Sequence, residues 1–301
     1  MLEHCTLCPR RCGVNRTQGE RGYCGADDKI RIGLASLHRW EEPCLSGTRG
    51  AGTVFFCHCP LGCVFCQNHA ISGHDAATTG KVTDIGGLAD TFLSLQEQGA
   101  HNIDLVTPTH YAAHIAQAIP LARAHGLTIP IVYNCGGYES VETLRMLDGM
   151  IDIYLPDLKY FSPYYAERYS VAPDYFDVAV DAITEMVRQT DIPVMDADGI
   201  LQSGTIIRHL MLPGLTGDTA QILRAIATHW GDSVLVSLMR QFTPCTDLSS
   251  YPELTRRLTD DEYDNACFLM EALGLEGWTQ DAASISESFI PHFDGYGVAS
   301  V

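Results

Sequence analysis

The chain is nearly without lysine. Lys29, Lys81 and Lys159 are all it has in 301 residues, and 37 acidic residues outnumber 19 lysines and arginines for a formal net charge of −18. A surface of that sign repels phosphate backbones and anionic bilayers, which argues against nucleic-acid and membrane partners. Solubility in an acidic proteome accounts for the balance in the simplest way. Long apolar runs are also missing. Nothing approaches the roughly 18 consecutive apolar residues of a membrane helix, and the N-terminus lacks the apolar core of a signal peptide. A cytoplasmic location is expected.

Cysteine, by contrast, is abundant at 12 residues. In a chain without an export signal this suggests metal or redox chemistry before disulfides. Cys59, Cys63 and Cys66 form Cys-x-x-x-Cys-x-x-Cys, two residues beyond Phe55-Phe56. Three thiolates so spaced on one loop can hold three irons of a 4Fe–4S cluster and leave the fourth iron open. An open coordination position takes a substrate, as a catalytic zinc does. The alternatives are a zinc knuckle or a buried thiol cluster. Zinc sites usually present paired cysteines and close with four ligands, so a run of three with a longer first gap suits a cluster better. Cys57 and His58 read as neighbours of the cluster, because the gap from Cys57 to Cys63 is too wide for the motif.

A second set, Cys5, Cys8, Cys12 and Cys24, lies among Gly and Pro near the N-terminus. Four soft ligands within 20 residues suggest a small metal knuckle holding zinc or a second Fe–S cluster, with four unrelated thiols as the alternative. Further on, Glu41 and Glu42 precede Pro43 and read as a solvated acidic turn, with contact to substrate or to the cluster surroundings as the alternative.

The motif Cys59-x-x-x-Cys63-x-Phe65-Cys66 after a short apolar strand resembles the signature of radical S-adenosylmethionine (radical SAM) enzymes. Gly52-Thr-Val-Phe-Phe56 and Cys66-Gln-Asn68 resemble the branch related to pyruvate formate-lyase-activating enzyme. The N-terminal cysteines resemble its uncharacterised stand-alone members.

From residue 52 the chain alternates strand and helix. Strands are expected at Thr53–Phe56, Ile103–Val106, Ile129–Tyr133, Ile151–Leu155, Thr205–Leu212 and Ser233–Met239. Helices are expected at Asp84–Gln98, Tyr111–His125, Val141–Leu147, Tyr175–Gln189, Thr219–Thr228 and Asp260–Leu273. Asp84 is a natural N-cap, and Gly126 a natural stop. Six β-then-α units give an α/β fold with a parallel sheet that curls without closing, a partial (β/α)6 barrel. The resemblance implies the same architecture. The division expected is a Cys-rich metal-binding segment over 1–50, the barrel over 51–275, and an aromatic tail over 276–301 packed on it.

Function in such folds gathers at the C-terminal ends of strands. There the chain offers Thr107-Pro-Thr109-His110, Asn134-Cys135-Gly136-Gly137, Asp157-Leu-Lys159 and, inward-facing, Arg208. The resemblance implies Gly-Gly-Glu at the first of these, which is absent. Thr107 and Thr109 can accept from an ammonium, and His110 can serve instead, although a lone histidine is more often a structural hydrogen-bonder. Asn134 and Cys135 stand where the branch has Asp and Thr, and the two glycines let backbone approach a ligand. Asp157-x-Lys159 matches the branch. On an extended segment both side chains point the same way, suited to a charged cofactor end, a substrate backbone, or simply each other. Arg208 can hold a carboxylate or ribose, and Arg240 is placed similarly. Cys245 and Cys267 read as core or surface thiols.

The resemblance thus implies a 4Fe–4S cluster on Cys59, Cys63 and Cys66, and S-adenosylmethionine held by Phe65, Thr107, Asn134, Asp157, Lys159 and Arg208. One electron from a flavodoxin- or ferredoxin-type donor would cleave the S–C5′ bond to methionine and a 5′-deoxyadenosyl radical. That radical would abstract hydrogen, with activation of a glycyl radical enzyme the nearest family reaction. Two alternatives stay open: a radical SAM enzyme acting on a small molecule, and a non-catalytic Fe–S electron-transfer protein with Cys57 or Cys135 as fourth ligand.

Overall fold

The computed structural model describes residues 1–73, 80–281 and 291–299. A nine-membered ladder of strands organises it. After the N-terminal loops come β1 (Ile30–His38), the short α1 (Pro43–Ser46), β2 (Ala51–Phe56), α2 (His69–Ser72) and β3 (Lys81–Thr83). Regular alternation follows: α3 (Ile85–Glu97), β4 (Ile103–Val106), α4 (Ala112–Ala124), β5 (Ile131–Cys135), α5 (Val141–Met146) and β6 (Ile153–Pro156). Next are α6 (Pro163–Ser170), α7 (Tyr175–Thr190), β7 (Val194–Met195), β8 (Leu201–Leu210), α8 (Thr216–His229), β9 (Leu235–Met239), α9 (Asp260–Ala272) and β10 (Gly277–Thr279).

The sheet order is β10-β9-β8-β6-β5-β4-β2-β1-β3, with β7 paired to β8 off this path. From β2 through β10 the path is parallel. β1 and β3 add antiparallel strands beyond β2. Six β/α units and an open edge at each end make this the incomplete barrel expected from the sequence. All six expected strands and all six expected helices are present, with ends shifted by a few residues. Asp84 caps α3 by accepting from Gly87 N at 2.8 Å, and Leu88, Phe92 and Leu95 form its buried face.

β1, α1, α2, β3, α6, β7 and β10 were not anticipated. β1 alternates Ile30, Ile32 and Leu34 and pairs with β2, so the division read at residue 50 does not coincide with a break in the sheet. Likewise β10, at the start of the 276–301 tail, is a strand of that sheet. Of the rest of the tail, 282–290 and 300–301 lie outside the described residues. Within 291–299, Gly295 N donates to Gly33 O at 2.7 Å, and Tyr296 O accepts from Ala35 N at 2.9 Å.

Strand alternation sorts the side chains. Leu105, Tyr133, Tyr154 and Ile207 face the helices in the main core. Val132, Ile153, Leu155 and Ile206 face the other way and form a second cluster with Cys44 and Leu45 of α1. Asn102 Nδ2 fixes α1 there by donating to Leu45 O at 2.9 Å. α1 therefore enters the concave side of the sheet and brings Glu41 and Glu42, just before it, inside. Among the described residues no helix is long and apolar enough to cross a membrane.

Candidate active site

Beyond β2 the backbone turns through His58 at φ +73° and Gly62 at φ +77°, which folds Cys59, Cys63 and Cys66 over the strand ends. All three line one cavity of about 250 Å³. Phe65 lines it too, edge-on to Tyr160 and Phe242. Hydrogen bonds to sulfur hold the loop: Leu61 N donates to Cys59 Sγ at 3.4 Å and Ser170 Oγ to Cys63 Sγ at 2.9 Å. Burial first, then the neighbouring thiols, pushes Cys59 up to about 12 and Cys66 up to about 11. Crowded thiols that resist ionisation alone suit a cation that supplies the missing charge. This donor set fits an Fe–S cluster. Among the described residues no three Cys, His, Asp or Glu side chains already converge as on a single ion.

Cys57 is fully buried in a small core with Leu34, Phe55 and Ile71 and does not line the cavity. Cys135 does line it, hydrogen-bonded to Glu139. None of the twelve cysteines, all of them among the described residues, is in a disulfide.

The other strand ends contribute as follows. Asp157 and Lys159 line the cavity and pair with each other, Nζ to Oδ2 at 2.5 Å. Burial alone would lower the Lys159 pKa, but the neighbouring Asp157 carboxylate raises it. Tyr175 OH braces this segment, 2.8 Å from Asp157 O and 2.9 Å from Gly136 O, and accepts from Lys159 N at 3.0 Å. The two glycines serve chain crossing more than ligand approach. A Cβ on Gly137 would meet Asp157 O at 2.1 Å, and one on Gly136 would meet Leu61 Cδ1 at 2.5 Å.

Thr107 and Asn134 both line the cavity, with Thr107 N donating to Asn134 O at 2.8 Å. His110 does not. It is buried, with Nε2 2.7 Å from Cys57 O and its own carbonyl bonded by Arg16, so it is a structural residue and no substitute for a missing carboxylate.

Arg208 faces inward as expected, between Ile207 and His209, which are buried on the helix side. Its guanidinium is committed, however. Nε donates to Glu42 Oε1 at 2.8 Å, Nη2 to Glu42 Oε2 at 2.5 Å, and Nη2 also bonds Glu41. This corrects one expectation: Glu41 and Glu42 are an interior carboxylate pair and no solvated turn, and Arg208 neutralises them at the cavity wall. Arg240 bonds Asp260 at 2.5 Å and stacks over Tyr263, and its neighbours Met239 and Gln241 line the cavity instead.

Glu139, two residues past the glycines, went unread in the sequence. It is buried in the cavity wall and accepts from Thr109 Oγ1 at 2.7 Å and Tyr133 OH at 3.1 Å. Burial raises its carboxyl to about 7. An acid between a Gly-Gly strand end and a helix cap, here Ser140, was the available signal.

Cys5, Cys8, Cys12 and Cys24 lie outside this cavity. Cys8 is close enough to Cys24 and Cys12, and Cys24 to Cys5 and Cys12, for their charges to interact, and burial raises the Cys8 thiol to about 12.

No family model matches the chain. Among solved structures, methylornithine synthase superposes with a TM-score of 0.50 at 19% identity, over 73% of this chain and 63% of that one. The two share a fold. This chain thus spans under two thirds of that enzyme. A domain of pyruvate-formate lyase-activating enzyme from Bacteroides vulgatus gives a TM-score of 0.39 at 11% identity, over 56% of this chain and 93% of that one. In sequence, an uncharacterised protein of Methanocaldococcus jannaschii is 29% identical over 282 residues, which cover 92% of this chain and 77% of that one.

Proposed function

We propose that the protein is a radical SAM enzyme that activates a glycyl radical enzyme. What supports this is one juxtaposition: Cys59, Cys63 and Cys66 open onto the same cavity as the Asp157–Lys159 pair, and Cys57 stands apart from it in the core. The three cysteines would hold three irons. When bound, a 4Fe–4S cluster with one open iron and S-adenosylmethionine supply one-electron cleavage of the S–C5′ bond and a hydrogen-abstracting 5′-deoxyadenosyl radical. Lys159 donates to a carboxylate, and Asp157 and Glu139 accept from an ammonium. Thr107 and Asn134 add neutral polar contacts. Phe65, Leu61 and Met239 keep water from the reacting atoms.

The hydrogen would come from a glycine of the partner enzyme, entering at the open edge of the barrel. A low-potential donor of flavodoxin or ferredoxin type would supply the electron, in the cytoplasm. The N-terminal cysteines would hold zinc or a second Fe–S cluster.

The test is anaerobic reconstitution, reduction, and assay for 5′-deoxyadenosine, followed by electron paramagnetic resonance with candidate glycyl radical enzymes. Expected are deoxyadenosine and a glycyl doublet, both absent from C59A, C63A and C66A. No deoxyadenosine from a cluster-loaded protein overturns the radical SAM assignment. Deoxyadenosine with a small molecule, and no protein radical with any candidate, replaces the partner enzyme by a small-molecule substrate. Metal analysis beyond one cluster per chain tests the N-terminal site.

A further inference from the structure

Arg10 lies within Cys8-Pro9-Arg10-Arg11-Cys12, between two of the N-terminal cysteines. Its guanidinium reaches out of that segment to four backbone carbonyls. Nε donates to Pro60 O at 2.9 Å, Nη2 to Leu61 O at 3.3 Å and Ser170 O at 3.2 Å, and Nη1 to Val171 O at 2.6 Å. It also lies over the Tyr23 ring at 3.9 Å from the centroid and 5.2 Å from that of Tyr138. None of these partners is a carboxylate. The fork of five donors is therefore used for shape, to join three backbone segments that are distant in sequence.

Two of the segments belong to the candidate active site. Pro60 and Leu61 lie between Cys59 and Cys63. Ser170, whose carbonyl Arg10 binds, uses its hydroxyl to bond Cys63 Sγ at 2.9 Å. The neighbouring Tyr169 carbonyl accepts from Val64 N at 2.9 Å. Val171 adopts φ +52°, a left-handed conformation that costs a β-branched residue free energy and needs outside support. Arg10 supplies a bond to its carbonyl. A parallel link comes from Tyr23, next to Cys24, whose OH donates to Leu61 O at 3.2 Å.

We propose that Arg10 is a positioning residue through which the N-terminal cysteine knuckle sets the geometry of the 59–66 loop. Whatever holds Cys8, Cys12 and Cys24 in place then also holds Pro60, Leu61 and, through Ser170, the sulfur of Cys63. The cluster role of that loop rests on the function proposed above, but the mechanical coupling does not.

Hydrogen exchange of the full chain tests the coupling without cofactor or turnover. R10A is expected to raise exchange in peptides covering 59–66 and 169–172 about tenfold, with β4 to β6 as protected as in the parent. R10K, which keeps the charge and loses the fork, falls between. C24S, which loosens the knuckle, should raise exchange in 59–66 when Arg10 is present and raise it much less in the R10A background, where only the Tyr23 link remains. On the reconstituted protein, R10K should also shift the spectrum of the reduced cluster. If R10A does not fold, R10K carries the test. Parent-like exchange at 59–66 in the Arg10 variants overturns the proposal. So does a uniform rise across all strands, or a C24S effect that persists undiminished without Arg10. Absence of deoxyadenosine would refute the enzyme assignment and leave these exchange results standing.

Discussion

Glu42 and Arg208 are 166 residues apart and form a two-point ion pair inside the barrel, Nε to Oε1 at 2.8 Å and Nη2 to Oε2 at 2.5 Å. Glu41 shares the same guanidinium. The pair lowers the Glu42 carboxyl against the opposing effect of burial. Removing one partner leaves an uncompensated interior charge, which usually costs about 3–5 kcal/mol. R208M is therefore expected to lose that much in denaturant unfolding. E42Q should lose less, because Glu41 still faces the cation. A loss below about 1 kcal/mol in R208M would show that solvent already reaches the pair.

The cysteine register has a separate test. Cys59, Cys63 and Cys66 share the cavity, whereas burial raises the Cys57 thiol to about 12 in an apolar core. After anaerobic reconstitution, C57A should retain iron and the cluster spectrum with a modest loss of stability. C59A, C63A and C66A should each lose most of the iron. Iron lost from C57A and kept in C59A would reverse the ligand assignment.

These two cases mark what could be read from the sequence. The cysteine loop was legible because ligand type and spacing are local. The parallel strands were legible as short apolar runs between helical patterns. The Glu42–Arg208 contact was not, because it depends on α1 inserting Cys44 and Leu45 into the concave face, a tertiary event. Pro43 after two acids pointed to an exposed turn in the absence of that information. β1 has strand alternation in Ile30, Ile32 and Leu34, but it precedes the β-then-α alternation and pairs antiparallel with β2, which no local pattern signals. His110 stood in a strand-end loop, and only the three-dimensional path of residue 57 shows its ring bound to a backbone carbonyl.

Glu139 makes stability depend on pH. Burial lifts its carboxyl from the ordinary 4.5 to about 7, despite hydrogen bonds from Thr109 and Tyr133. Between those values the folded protein keeps a proton that the unfolded chain has released. Its contribution is full below about pH 4.5 and is lost as pH rises through about 7. The rise corresponds to about 3 kcal/mol at most. E139Q keeps a neutral side chain that both hydroxyls can still bond. Urea unfolding between pH 5 and 8 should therefore fall more steeply for the parent than for E139Q. Identical slopes would mean that Glu139 is ionised throughout the range.

Gly137 separates two costs that are usually confounded. It has φ +77°, and a Cβ there would also meet Asp157 O at 2.1 Å and Tyr175 OH at 2.9 Å. Gly149 has the same φ of +77° with nothing within 4 Å of the added atom. Alanine at either position pays about 1–2 kcal/mol for the left-handed conformation. Only at 137 must the backbone carrying Asp157 also move, and Tyr175, which braces Asp157 and Lys159, must shift with it. G149A should therefore lose about 1–2 kcal/mol and bind S-adenosylmethionine like the parent. G137A should lose more, about 3 kcal/mol, and bind the cofactor at least about tenfold more weakly by calorimetry on reconstituted protein. Equal stability losses would show that the strand ends yield freely at this crossing. Parent-like binding in G137A would remove the Asp157–Lys159 segment from the proposed S-adenosylmethionine site.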